Sequence, residues 1–315
     1  MPNRTLYIKT MLLLVPLALI LLACHASGPP ASKPTSTPYP TSTFSLPTPP
    51  PVSPDLVASL KESTTDILGL HETSEEYQEA MDAGLRVVNV PELGSFFGIW
   101  IPDGYDQQEV PRVMAVVPGT NGVVYKSMEL RIGHAQAHGY TLVIVQWWKG
   151  KGEDYLAPSV VYSLLETGLE YVRAEYGADV DKAAYEGFSR GSAVAWEIAY
   201  WDRVLGSDYF DLFICHSGGM RDPGPPFNQG LRAGAWGDDV YERQRFYMYC
   251  GMKDREPKMV GTPRCEWMHD AEQSVIEYGG TIERFIEDPD GGHADFLLKA
   301  PYYEDALQVW FELTE

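Results

Sequence analysis

The sequence predicts an α/β fold: a mostly parallel central sheet flanked by helices, in a single domain that follows a disordered N-terminal tether. Three observations carry this expectation. Arg112–Val117 and Thr141–Trp147 are β-branched, apolar runs of the kind buried on both faces of a sheet. Segments with apolar residues at helical spacing separate such runs, and strands alternating with helices imply right-handed parallel crossovers. Finally, Gly187-Phe188-Ser189-Arg190-Gly191 joins the strand-like Ala183–Glu186 to the helix-forming Ser192–Tyr200.

In chain order, residues 1–23 read as a signal peptide. Arg4 and Lys9 precede a 12-residue apolar run, Met11–Leu22, well short of the roughly 20 residues of a membrane span. Leu21-Leu22-Ala23-Cys24 resembles the bacterial lipobox. That resemblance implies cleavage before Cys24, lipidation of its thiol, and a membrane partner through this anchor. Simple secretion after ordinary cleavage near Ala23 or Ala26 is the competing reading, and both place the mature chain outside the cytoplasm. Residues 24–54 are rich in Pro, Ser and Thr with one charge, Lys33, a composition that buries no core and favours extended conformations. The tether is therefore expected to stay outside the folded domain, residues 55–315.

Within that domain, Leu85–Val90 and Phe96–Ile101 form an antiparallel pair across Pro91–Gly94. Tyr125–His138 reads as one amphipathic helix ending at Gly139, and Val160–Tyr176 as another through Val161, Leu164, Leu165, Leu169 and Val172. Leu212–Cys215, Arg245–Cys250 and Thr281–Ile286 read as strands, and Tyr302–Leu313 as the closing helix.

About 260 residues suffice for one full core. A formal charge of −20 argues against nucleic acid and anionic membrane surfaces, which need basic patches. An uncharged ester is compatible with that charge, and a polyanion is not favoured. Besides Cys24 there are Cys215, Cys250 and Cys265, an odd number that forbids complete internal pairing. Cys215 lies in an apolar run, whereas Cys250 and Cys265 could pair across the loop between them. The cysteines show no metal-ligand spacing. His134 and His138 stand four apart without the glutamate of a zinc-protease motif and read as a polar helix end.

A serine on a sharp strand-to-helix turn, with glycines two residues to either side, has the pattern of a nucleophile elbow. A serine hydroxyl needs a base, and the base an orienting acid. Asp254 follows the strand Arg245–Cys250 in the turn Gly251-Met252-Lys253-Asp254. His293 follows Thr281–Ile286 in the loop Asp290-Gly291-Gly292-His293. Both fall beyond C-terminal strand ends, where an open sheet places its chemistry. Arg190 N–H and a donor from Pro118–Gly122, Thr120 first or Asn121, would hold an oxyanion. No cofactor is implied. The competing readings are Ser189 as a helix N-cap, Glu256 or Asp288 as the acid, and His293 as an ordinary loop residue. His216 lies near the rim, lining a pocket or serving the fold. Gln146–Gly150 and Gly218–Trp236 are the pocket-wall candidates.

These residues and their spacing resemble the α/β-hydrolase superfamily over roughly residues 85–315. Within it they are loosely similar to secreted feruloyl esterases and polyhydroxybutyrate depolymerases. The resemblance implies a serine hydrolase cleaving a small-molecule or polymer-linked carboxylic ester through an acyl-enzyme, using Ser189, His293 and Asp254. Pro118 departs from the histidine that many members carry before the oxyanion glycine, which bears on the choice between Thr120 and Asn121. The alternatives are a prolyl-oligopeptidase-like peptidase and a catalytically silent surface binding module.

Overall fold

A computed structural model describes residues 44–70, 75–105, 112–221, 224–255, 264–299 and 301–315. The signal peptide, Cys24 and most of the tether lie outside the described residues, as does Glu256.

The chain forms a nine-stranded sheet in the order β1-β2-β3-β5-β4-β6-β7-β8-β9. The strands are β1 (Glu62–Ser63), β2 (Arg86–Val90), β3 (Ser95–Trp100), β4 (Val113–Val117), β5 (Thr141–Val145), β6 (Ala183–Phe188), β7 (Phe210–His216), β8 (Arg245–Gly251) and β9 (Thr281–Asp288). β1, β2, β3 and β5 pair antiparallel in succession, and β5, β4, β6, β7, β8 and β9 run parallel. The two-residue β1 closes one edge. β9 closes the other, where the charged Glu283, Arg284 and Glu287 discourage further pairing.

Alternation along the strands divides the core. Val113, Ala115 and Val117 face one layer, and Met114 and Val116 the other. The first layer holds α1 (Pro54–Ser59), α5 (Pro158–Tyr176), α6 (Arg190–Leu205) and α8 (Arg264–Glu277). The second holds α2 (Glu75–Asp82), α3 (Val124–Glu129), α4 (Ile132–His138), α9 (Asp295–Leu298) and α10 (Tyr302–Thr314). α7 (Pro226–Arg232) packs Phe227 and Leu231 on the first layer. Among the described residues no helix is long and apolar enough to cross a membrane.

Two expectations need correction. The single helix over 125–138 is two, because the chain breaks at Leu130–Arg131 and the Arg131 side chain drops into the core. There its Nε and Nη2 meet the Glu186 carboxylate at 2.5 and 2.6 Å. The domain also begins earlier than residue 55. Pro49 is buried, the Pro50 carbonyl accepts a bond from Ser163 Oγ at 2.5 Å, and Leu46 and Val52 pack on the core. Prolines pre-set an extended backbone, so even a charge-poor strap of this kind can lie in an apolar groove. His134 and His138 both bond Glu304, at 2.5 and 2.7 Å, and tie α4 to α10.

Candidate active site

β6 delivers Ser189 to the sheet's C-terminal rim in a backbone conformation that side chains rarely adopt, φ 53° and ψ −111°. The close approach of strand and helix explains its flanking glycines. A Cβ at Gly187 would lie 2.8 Å from Gly191, and one at Gly191 would lie 2.0 Å from the Val117 carbonyl oxygen. Ser189 N–H is held by the His216 carbonyl at 2.9 Å, and its hydroxyl makes no capping bond to α6.

That hydroxyl instead meets His293 Nε2 at 2.9 Å, and His293 Nδ1 meets Asp254 Oδ2 at 2.6 Å. Because an ionised carboxylate only accepts, Nδ1 carries the proton and Nε2 is free to receive the serine proton. Ser189 is 8 % exposed and Asp254 5 %, while the His293 side chain keeps 35 % of its surface. The loops bearing Asp254 and His293 are laced by backbone bonds: Lys253 N–H to Gly291 O at 2.9 Å, and Met252 N–H to Asp288 O at 2.8 Å. Asp288, the rival acid, accepts from Tyr249 OH at 3.2 Å and Asp290 N–H at 3.0 Å.

Thr120, Ser189 and Arg190 line one cavity of about 440 Å³. Asn121 adopts φ 55°, and its N–H donates to Tyr155 OH at 2.9 Å, which donates back to Asn121 Oδ1 at 3.1 Å. The Asn121 N–H is thus engaged, while Thr120 lines the cavity together with Arg190 at the start of α6. Trp147 Nε1 steadies the same loop through the Pro118 carbonyl at 2.8 Å. Both expected wall segments reach the cavity, through Trp147 and through Gly218, Gly219, Arg221, Pro225 and Asn228. Cys250 and Cys265 form a disulfide that fixes the start of α8, where the Trp267 carbonyl accepts from Met220 N–H at 2.8 Å. Cys215 is a buried free thiol.

Behind the serine lies an unforeseen polar cluster. Glu186, fully buried, takes the Arg131 guanidinium on both oxygens, His216 Nε2 at 2.8 Å and Tyr303 OH at 3.2 Å. Burial raises its pKa, but the Arg131 charge and the His216 hydrogen bond outweigh burial and hold it at about 2. Burial depresses His216 despite the pull of Glu186, so the ring is neutral and donates through Nε2. It stacks under Phe188 at 5.1 Å, which leans on His293 at 4.9 Å. His216 therefore supports the elbow rather than lining the cavity. The signal was present as Glu186 inside an apolar strand, but periodicity names no partner.

Fold, strand order and rim geometry define an α/β-hydrolase fold. Similar solved structures include one of two fungal esterases from Rhizomucor miehei, at 13% identity and TM-score 0.55, over 84% of this chain and 97% of that one. Another is poly(aspartic acid) hydrolase-1 from Sphingomonas sp., at 13% identity and TM-score 0.51, over 69% and 93%. No protein-family model and no curated protein matches the sequence.

Proposed function

We propose that the protein is a serine hydrolase of carboxylic esters, exported and held at the cell membrane through a lipid on Cys24. The observation that carries the chemistry is the unbroken chain Ser189–His293–Asp254, at 2.9 and 2.6 Å, on a strained elbow. Ser189 Oγ attacks the ester carbonyl carbon while His293 Nε2 takes its proton. Asp254 holds the ring's tautomer and stabilises the imidazolium. The carbonyl oxygen becomes an oxyanion between the N–H groups of Arg190 and Thr120. Its collapse breaks the C–O bond, and the departing alcohol leaves with the His293 proton. Water, deprotonated by the same imidazole, then hydrolyses the acyl-serine.

The test is Ser189→Ala assayed on 4-nitrophenyl acetate. Turnover should fall by at least about a thousandfold, and a fluorophosphonate probe that labels the wild type should fail on Ser189→Ala and His293→Ala. Turnover retained in Ser189→Ala would remove the assignment.

A further inference from the structure

The cavity against Ser189 runs counter to the charge of the chain. Acidic residues outnumber basic ones 44 to 24, yet the described residues lining the cavity include two arginines, Arg190 and Arg221, and no carboxylate. Arg190 is already engaged: its Nη2 pairs with Glu153 at 2.6 Å and its guanidinium lies 4.3 Å from the Tyr155 ring centre. Arg221 is different. Its carbonyl accepts from Arg232 Nη1 at 3.5 Å, while its side chain is exposed and makes no ion pair with a described residue.

Asn228 on α7 lines the same cavity. It is 2 % exposed and forms part of the cavity wall. A primary amide placed there can complete its hydrogen bonds with a ligand or water. Ser217, at φ 59°, adds a buried hydroxyl that has no partner among the described residues. These groups are close to the nucleophile. Gly218 packs so tightly on the Ser189 carbonyl that a Cβ would fall 1.9 Å from its oxygen. Arg221 follows three residues later, so its Cα lies within about 11 Å of Gly218.

We propose that Arg221 and Asn228 form a carboxylate subsite, and that the substrate is an ester bearing a free carboxylate a few bonds from the scissile linkage. The inference rests on the serine-hydrolase reading above. One guanidinium fork and one neutral amide match a planar monoanion. A dianionic phosphate calls for a second cation, and Arg190 is held by Glu153. A neutral polyol has no use for an unpaired guanidinium.

Two matched ester pairs test this by kcat/KM. The acyl-side pair is 4-nitrophenyl hydrogen adipate against 4-nitrophenyl hexanoate. The leaving-group pair is 4-acetoxybenzoate against its methyl ester. The acid should be preferred by about tenfold or more in one pair, and that pair identifies the side of the ester on which the carboxylate sits. In Arg221→Gln the ratio should fall to within about twofold of unity, and Asn228→Ala should lower it in part. A check that needs no variant is competition in the wild type: adipate should inhibit hexanoate-ester hydrolysis where 1,6-hexanediol does not. No acid preference in either pair, a preference that survives Arg221→Gln, or equal inhibition by the two competitors overturns the subsite. Failure of the underlying reading looks different: neither member of any pair is hydrolysed, and the fluorophosphonate probe does not label.

Discussion

Ser189 illustrates how much a single backbone conformation decides. At φ 53° its side chain leaves the helix axis and its hydroxyl turns to His293 rather than capping α6. Tyr155 plays a comparable part for Asn121, since its hydroxyl occupies that residue's N–H and its side-chain oxygen together. This contact separates the two oxyanion candidates by experiment. With Thr120 as the donor, Tyr155→Phe loosens the loop, and kcat should fall about two- to tenfold with KM little changed. With Asn121 as the donor, the same change releases its N–H, and kcat should hold or rise. Stopped-flow measurement of acylation distinguishes the outcomes.

At the scale of the element, α6 carries two buried carboxyls. Burial pushes Glu197 up to about 7, against a weak opposing bond from Trp201, and pushes Asp202 up to about 7 against backbone donors at Tyr209 and Phe210. Unfolded, such groups titrate near 4, so between about 4 and 7 the folded state binds more protons. Their contribution to stability is complete below about pH 4 and is lost as pH rises through 7. Glu186 on β6 has the opposite sign: its contribution is present above about pH 4.3 and is lost as pH falls toward 2. These three carboxyls favour a melting temperature that peaks between about pH 4 and 5 and declines toward 7.5, opposed by the depressed His216, which favours folding as pH rises toward 6.5. In Glu197→Gln that decline should be shallower, and calorimetry giving the wild-type slope for this variant would refute the account. The strands were legible because β4 and β5 are buried throughout and, Thr141 apart, apolar, so residues buried on both faces leave almost no polar interruption. The break between α3 and α4 was not, because Arg131 sits where helical spacing alone reads as continuous. Its reason is a carboxylate 55 residues away.

For the whole molecule, the order Ser, Asp, His and its placement after strand ends were enough to anticipate which side chains meet. Loops that lie beyond strand ends in sequence converge on one rim in space. The proposed subsite was illegible, since helical and strand periodicity does not reveal that Arg221 and Asn228 line the cavity beside Ser189. The proposed location rests on the signal-like N-terminal sequence, and it carries its own prediction. The wild-type protein should partition into detergent and incorporate labelled palmitate in a bacterial host. Cys24→Ser should do neither, and undiminished labelling of that variant would discard the anchor.

The strap before α1 bears on how this domain is handled. Phe44 meets Trp236, which stacks on Phe227 of α7, the helix that also carries Asn228. Trimming the protein at residue 55 would strip Leu46, Pro49 and Val52 from their groove and leave a bare greasy trough beside the cavity wall, an invitation to aggregate. Trimming at 44 keeps the trough filled.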